Sequence, residues 1–276
     1  MLSAAARSRL TVVLVGARNP GNIGAAARAL RDFGFGDLRI ANDFAAPFEA
    51  AQLESLSADN PAAVAAADVM QRARRFDTLA EAIADCHLVI GTTAVGERGL
   101  SRPVLPLQLA APMMVNALEA SSQRAALLFG SEKTGLTNEQ LSHCSLLTTI
   151  PLFDPSPLDP QSADDKPARH LSMNLGQAVA VCLYELTRAG FEGSRALPVL
   201  HEAAATADDR ERLTHLLLDV MHATHYTRRY PHNATEPLAR QLVQQLGATH
   251  REAMTWMGLL RQILWHRPDA KDEPLK

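Results

Sequence analysis

Residues 11–28 read TVVLVGARNPGNIGAAAR. The first five are β-branched or apolar without a polar break, which is typical of a parallel strand that is buried on both faces. The Asn-Pro-Gly at 19–21 ends this strand, and the Ala-rich segment from Ile23 to Phe33 predicts a helix. A buried strand, a tight turn and a helix together predict the first unit of an α/β sheet.

The same alternation continues along the chain. Further strands are expected at residues 38–41, 87–90, 125–129 and 146–150, and further helices at 61–74, 78–86, 106–121, 137–144 and 172–189. Thr137, with Gln140 three residues later, has the capping-box signature of a helix start. Strands that alternate with helices predict an α/β fold, a mostly parallel sheet with helices on both faces.

Beyond this sheet domain, expected over residues 1–190, the pattern changes. Residues 191–209 contain Gly193, Ser194 and Pro198 and then an Ala-rich acidic stretch, so we expect a linker. Residues 210–276 keep only helical periodicity, which predicts a small C-terminal helical bundle. Three apolar faces support it: Leu213, Leu216, Leu217, Val220 and Met221; Leu238, Leu242, Val243 and Leu246; Met254, Met257, Leu260 and Leu264.

Composition limits the classes of function. The formal net charge is −3, but the first 40 residues carry six arginines and only Asp32 and Asp37 as acids, so a locally basic face is compatible with RNA. The three cysteines stand far apart, and no metal-ligand spacing is present, so we expect no metal. The sequence has no apolar run of membrane-spanning length, which indicates a cytoplasmic protein with no membrane partner.

Two later segments share the character of residues 19–28, in which glycine or asparagine accompanies a strongly polar side chain after a strand. They are FGSEKTGL at 129–136, with Glu132 as its acid, and LSMNL at 171–175, with Ser172 and Asn174. Alone, each has a plain structural explanation: a tight turn, a surface loop or a helix cap. A dinucleotide fold with Asp43 as ribose ligand fails, because Gly21 and Gly24 lack the preceding glycine of that motif.

Taken together and in this order, the three segments resemble the motifs of the SPOUT (SpoU–TrmD) RNA methyltransferases, and most closely the TrmJ-type tRNA 2′-O-methyltransferases. The resemblance covers nearly the whole chain from about Leu10. It implies a C-terminal trefoil knot in the sheet domain, S-adenosylmethionine as the cofactor, and a homodimer with active sites at the interface. We expect the helix at 173–186 to form that interface, with Leu183 and Tyr184 as contacts.

The resemblance also implies site residues. The catalytic set would be Arg28, Glu132, Ser172 and Asn174; the cofactor contacts Thr92, Thr93, Ala94, Gly130, Ile150, Leu171, Ser172 and Met173; and the RNA contacts Arg18, Asn19, Asn22 and Arg28. A guanidinium resists deprotonation because its pKa is above about 12. We therefore expect Arg28 to anchor a phosphate and stabilise the developing alkoxide, and the proton acceptor stays open.

The expected reaction is ribose 2′-O-methylation of tRNA at an anticodon-loop nucleotide, as the TrmJ-type resemblance implies. Ribosomal RNA methylation by a SpoU enzyme and an RNA-binding protein that has lost catalysis are the alternatives. Residues 152–170 and 95–103 depart from the TrmJ-type pattern as insertions that flank the expected RNA entrance. The bundle would bind RNA as an accessory domain, with the basic and aromatic segment 222–232 on its surface, and its loss would spare cofactor binding.

Overall fold

The computed structural model describes residues 2–41, 45–56, 66–94, 104–120, 123–153, 172–191 and 203–265. Its strands are β1 (Leu10–Val15), β2 (Asp37–Ala41), β3 (Arg74–Phe76), β4 (Leu88–Thr92), β5 (Val104–Pro106), β6 (Ala125–Phe129) and β7 (Leu146–Thr149). Its α-helices are α1 (Ala4–Arg7), α2 (Pro20–Asp32), α3 (Ala45–Leu56), α4 (Ala67–Arg72), α5 (Leu79–Ile83), α6 (Leu107–Ala120), α7 (Asn138–Ser142), α8 (Leu175–Phe191), α9 (Ala207–Ala223), α10 (Tyr226–Arg229), α11 (Glu236–Gln245) and α12 (His250–Trp265).

The strands form one sheet in the order β3-β2-β1-β6-β4-β7-β5, and all its neighbouring pairs are parallel. In the interior strand β1, Val12 is in register with Leu38 of β2 and Leu127 of β6. The predicted α/β fold with a parallel sheet is confirmed. The sequence missed β3 and β5, which have three residues each and therefore carry too little periodicity to be recognised.

Two apolar cores lie on the two faces of the sheet, as a strand buried on both sides requires. Val12 and Leu14 of β1 face a core that α2, α6 and α8 complete, whereas Val13 and Val15 face a core that includes α5 and α7. Helices therefore cover both faces. The capping box predicted at Thr137 is confirmed, because its hydroxyl accepts from the Gln140 amide and its own amide donates to the Gln140 side chain.

The parallel arrangement brings the carboxyl ends of β1, β6, β4 and β7 to one edge of the sheet. The segments that follow these strands therefore meet at this edge, although they are remote in sequence. The trefoil knot depends on the path of the chain between β7 and α8. Residues 154–171 of that path lie outside the described residues, as do residues 95–103, so the knot stays a prediction.

Helix α8 begins three residues later than the sequence predicted. The side-chain oxygen of Asn174 accepts hydrogen bonds from the backbone amides of Gly176 and Gln177, at 3.0 and 3.3 Å. Asn174 therefore caps the helix, and Leu175 is its first residue. Ser172, expected inside the helix, precedes it.

The C-terminal helices form a small bundle in which α9 packs against both α11 and α12. Its core consists of Leu213, Val243, Met257 and Leu260. The predicted apolar faces are only partly correct, because Leu242, Leu246 and Met254 are exposed. Helix α9 begins at Ala207, within the stretch expected to be a linker, since Thr206 forms a capping box with Asp209.

The bundle packs on the α5 and α7 side of the sheet. The Ala207 amide donates to the Cys86 carbonyl oxygen at 2.7 Å, and the Arg210 guanidinium donates to the His87 carbonyl oxygen at 3.0 Å. Ala207 also belongs to the core on that face. In the described part of the chain, no helix has the length and apolar character that crossing a membrane requires.

Candidate active site

A cavity of about 450 Å³ lies at the carboxyl edge of the sheet, where the turns after β4, β6 and β7 meet the start of α8. Its walls combine small residues and hydroxyls with apolar side chains. The lining residues are Thr92, Thr93, Ala94, Phe129, Gly130, Ser131, Glu132, Lys133, Thr134, Gly135, Leu136, Thr149, Ile150, Leu152, Ser172, Met173, Leu175 and Ala178.

The cavity brings together seven of the eight residues that the sequence suggested as cofactor contacts, namely Thr92, Thr93, Ala94, Gly130, Ile150, Ser172 and Met173. The eighth, Leu171, lies outside the described residues. Hydrogen bonds fix the turn after β4, since the Thr92 hydroxyl donates to the Leu128 carbonyl oxygen at 2.8 Å and the Thr93 amide donates to the Thr148 carbonyl oxygen at 2.9 Å. The wall is therefore formed by backbone in a fixed position.

The loop after β6 folds back on itself. The Gly135 amide donates to the Ser131 carbonyl oxygen at 2.8 Å, and Gly135 has a φ of +67°. A β-carbon added at Gly130 would lie 2.0 Å from the carbonyl carbon of Gly135 and 2.1 Å from the Leu136 amide nitrogen. Glycine is required at 130 by this close approach of its own loop, a reason that the sequence did not supply.

Glu132 holds the start of α2. Its carboxylate accepts hydrogen bonds from the backbone amides of Arg18 and Asn19, both at 3.2 Å, and from the side-chain amide of Asn22 at 3.0 Å. Partial burial raises the pKa of this carboxyl, but these hydrogen bonds and one from its own backbone outweigh burial and leave the pKa below its usual range. Glu132 is thus an ionised carboxylate at a helix N-terminus, where the helix dipole favours negative charge.

The third segment joins the first through two asparagines. The side-chain amide of Asn174 donates to the side-chain oxygen of Asn22 at 2.9 Å. Asn22 therefore accepts from Asn174 and donates to Glu132, so one side chain links all three sequence segments. Asn19 caps α2 by accepting from the Gly21 amide at 2.9 Å.

A more open cleft of about 480 Å³ lies against the start of α2 and meets the cavity at Glu132 and Lys133. It contains the suggested RNA contacts Arg18, Asn19 and Asn22. Lys133 lines both spaces and was missed by sequence reasoning, although its position next to Glu132 in the second segment was a usable signal. The cleft presents two cationic side chains beside an acid that already accepts hydrogen bonds from Arg18, Asn19 and Asn22 at and just before the start of α2, which suits a phosphate-bearing ligand.

Arg28 is half-buried on α2 and is not among the described residues that line the cavity or the cleft. The core side of this helix is formed by Ile23, Ala26, Ala27 and Leu30, and helical spacing places Arg28 on the opposite side. Among the described residues, Arg28 is therefore not one of those that line the two spaces.

Elsewhere, Glu211, His215 and Glu236 approach one another in the bundle in a way that could accommodate a metal ion. Arg240 occupies this position, because its guanidinium donates to Glu211 at 2.8 and 2.9 Å and also to Glu236. Both carboxylates are already hydrogen-bonded to this cation, so the group does not suit a metal.

The segment between α9 and α11 presents aromatic and basic side chains to solvent. The rings of Tyr226 and Tyr230 lie 5.0 Å apart, and the Arg229 guanidinium lies 5.6 Å from the centre of the Tyr230 ring. Both tyrosines are exposed. Rings and cations in this arrangement suit contact with nucleic-acid bases and phosphates.

Comparisons with known proteins agree with this geometry. Residues 9–156 match the SpoU rRNA Methylase family. The tRNA (cytidine/uridine-2'-O-)-methyltransferase TrmJ of Sodalis glossinidius (strain morsitans) is 31% identical over 256 residues, 92% of this chain and 91% of that protein. The tRNA (cytidine/uridine/adenosine-2'-O-)-methyltransferase TrmJ of Pseudomonas aeruginosa (strain UCBPP-PA14) is 33% identical over 225 residues, 77% of this chain and 78% of that protein. The crystal structure of TrmJ from Z. mobilis ZM4 is similar with a TM-score of 0.68 and 27% identity, covering 92% of this chain and 98% of that one.

Proposed function

This chain belongs to the SpoU rRNA Methylase family, and from that membership we propose that it is an S-adenosylmethionine-dependent ribose 2′-O-methyltransferase that acts on tRNA. The observation that carries the proposal is the junction of two spaces at Glu132 and Lys133. The cavity suits the cofactor, and the cleft suits a ribose flanked by phosphates. The methyl donor and the ribose that accepts the methyl group would therefore lie next to each other.

The cavity fits S-adenosylmethionine in size and chemistry. Its volume of about 450 Å³ lies in the range of small-molecule sites, and apolar side chains such as Met173 and Leu136 alternate with hydroxyls and exposed backbone. When bound, the cofactor supplies an electrophilic methyl group. No metal is needed for such a transfer, which requires alignment and charge neutralisation.

The protein's own residues would prepare the acceptor. Arg18 and Lys133 would hold RNA phosphate in the cleft, while Asn19 and Asn22 contact the nucleotide there. Ser172, which lines the cavity ahead of α8, would orient the ribose or the methionine end of the cofactor. Glu132 and Asn174 would act through position, because both are occupied in holding the starts of α2 and α8.

Arg28 would anchor a phosphate and stabilise the alkoxide as it forms. Since it faces away from the core of its own chain, the proposal includes a homodimer in which two copies complete each site. Tyr184 of α8 is 55% exposed and would contact the partner copy, together with the exposed Leu109 and Met113 of the adjoining helix α6. The expectation for Leu183 is wrong, because its side chain is fully buried in the core of its own chain.

The C-terminal bundle would serve as the RNA-binding domain, with Tyr226, Arg229 and Tyr230 as its contact surface. The substrate follows from the relatives, two of which are named as tRNA 2′-O-methyltransferases and match most of this chain. An anticodon-loop nucleotide is the proposed target. Such a substrate would place the protein in the cytoplasm.

Ribosomal RNA is the second candidate substrate, because the family is named for rRNA methylation. A protein that binds RNA without catalysis is less well supported, since Arg28, Glu132, Ser172 and Asn174 are all present and three of them flank the two spaces.

Calorimetry and a methylation assay test the proposal. The full-length protein should bind S-adenosylmethionine in the presence of a chelator and transfer the methyl group to a ribose of tRNA, identified by mass spectrometry of RNA digests. Methylation of 23S or 16S rRNA but not of tRNA would favour the second candidate. Binding of NAD with no response to S-adenosylmethionine would refute the cofactor assignment.

A further inference from the structure

The C-terminal bundle holds the turn that follows α7. The side-chain amide of Gln244 donates to the His143 carbonyl oxygen at 3.1 Å, and the Arg240 guanidinium donates to the Ser142 hydroxyl at 3.3 Å. Both donors lie on α11, about a hundred residues later in the chain. The turn at 142–143 is therefore positioned from outside the sheet domain.

The bundle side of this contact is fixed. Arg240 is buried and pairs with both carboxylate oxygens of Glu211 on α9, so its guanidinium has a defined orientation. Nδ1 of the His143 imidazole lies 3.7 Å from the same carboxylate. Burial, aided by the charge of Arg240, outweighs Glu211 and lowers the pKa of His143 to about 4, so the ring is neutral near pH 7.

The sheet side of the contact leads directly to the cavity. A β-carbon added at Gly91 would lie 2.7 Å from the Cys144 sulfur and 3.0 Å from the Leu141 side chain, so the α7 turn packs tightly beneath β4. The Ser145 amide donates to the Val89 carbonyl oxygen at 2.7 Å. The same strand then continues into Thr92 and Thr93, which line the cavity. Because these groups are closely packed, a movement of the turn should also move the cavity wall at Thr92 and Thr93.

We infer that Arg240 and Gln244 are positioning residues for the methyl-donor site, and that the C-terminal bundle braces the cavity from behind through the α7 turn. The inference rests on the proposed assignment of the cavity to S-adenosylmethionine. It runs against the sequence-based expectation that loss of the bundle spares cofactor binding. The bundle then has two tasks, contact with RNA and support of the cofactor site.

The double variant Ser142→Ala, Gln244→Ala tests the brace in the full-length protein. It removes both hydrogen bonds to the turn and keeps the Arg240–Glu211 pair, so no buried charge is left alone. Gln245→Ala on the exposed side of the same helix is the matched control. We expect the Kd for S-adenosylmethionine to rise about fivefold or more, with the Kd for tRNA and kcat at saturating cofactor unchanged.

Hydrogen exchange of the ligand-free protein gives a second readout. Amides in residues 130–136 and 146–150 should exchange faster in the double variant than in the parent and the Gln245→Ala control. A lower Tm of the double variant, with unchanged exchange in these segments and an unchanged cofactor Kd, would overturn the inference. The two hydrogen bonds would then stabilise the fold without positioning the cofactor site. If the parent protein binds no S-adenosylmethionine but exchange in these segments is still faster in the double variant than in the parent, the cofactor assignment is refuted and the mechanical link is supported.

Discussion

Asn174 donates a 2.9 Å hydrogen bond to Asn22, a residue 152 positions earlier in the chain. Because Asn22 in turn donates to Glu132 at 3.0 Å, the starts of α2 and α8 and the loop after β6 share one set of hydrogen bonds. The candidate site is thus held by a chain of polar side chains in which each member has at least two partners.

Replacement of Asn22 by alanine should disrupt both links at once. Glu132 loses a donor and Asn174 loses an acceptor, so the cleft and the start of α8 can shift relative to each other. A misplacement of about 1 Å can reduce turnover about a hundredfold, and we expect a fall in kcat/KM of about 10- to 100-fold on tRNA. Gln245→Ala on the exposed side of α11 is the control. Near-normal kcat/KM would show that this link is dispensable.

Arg28→Ala should abolish methylation while leaving affinity for S-adenosylmethionine intact. The charge serves RNA and the transition state, and Arg28 does not line the cavity. Loss of one such stabilising group typically reduces kcat about a hundredfold or more. Arg31→Ala is the matched control, since Arg31 lies on the same helix and pairs only loosely with Asp32 at 3.8 Å. Methylation kinetics and calorimetry check the two halves of this prediction, and an active Arg28→Ala protein would remove the residue from the catalytic set.

Tyr184→Asp should convert the proposed homodimer into a monomer. A carboxylate at an exposed position of α8 would be desolvated on association, which is costly for an unpaired charge. Leu242→Asp, at a similarly exposed apolar position on the bundle, should leave the dimer intact. Light scattering over a range of concentrations distinguishes these cases. A parent protein that is monomeric and fully active at nanomolar concentration would contradict the composite site.

His143 should make the protein less stable as the pH falls from about 6.5 to 4. Its folded pKa of about 4 lies below the usual value near 6.5, so between these values only the unfolded chain takes up the proton. The stability that this residue contributes is therefore complete above pH 6.5, declines between pH 6.5 and pH 4, and changes no further below pH 4. The difference is at most about 3 kcal/mol in the free energy of unfolding.

Chemical denaturation of the parent and of His143→Gln across this pH range isolates the effect, since other groups titrate equally in both proteins. The gap between their free energies of unfolding should narrow or reverse as the pH falls. A gap that stays constant from pH 7 to 4 would mean that His143 takes up its proton in the folded state near the usual pH.

Much of the architecture could be predicted from the sequence, because it depends on local periodicity and capping motifs. The buried run of β1, the capping box at Thr137 and the order of strands and helices were all recognisable without coordinates. The family resemblance implied Thr92, Gly130 and Ile150 as contacts of one ligand, and the structure places all three beside one cavity at the carboxyl edge of the sheet. The two missed strands are too short to show a period.

What the sequence could not supply depends on how helices rotate and pack. In an almost uniformly apolar helix such as α8, Leu183 and Tyr184 differ by one position and hence by 100° around the axis, and only packing decides which is buried. Leu242 of α11 and Leu246, which caps the end of that helix, are exposed and were misjudged for the same reason. The Asn22–Asn174 bond arises where two remote helix starts meet, which no local pattern encodes.

The sheet order has a consequence for synthesis on the ribosome. β1 lies in the interior of the sheet, yet its partner β6 begins at Ala125, and the partner of Asn22 is Asn174. When only the first hundred residues have left the ribosome, one edge of the apolar strand β1 therefore has no partner. Such an edge can pair with the wrong strand or with another chain. The candidate site is complete only after the start of α8 has left the exit tunnel, because Ser172 and Asn174 belong to it. We therefore expect a chain that ends before α8 to be inactive.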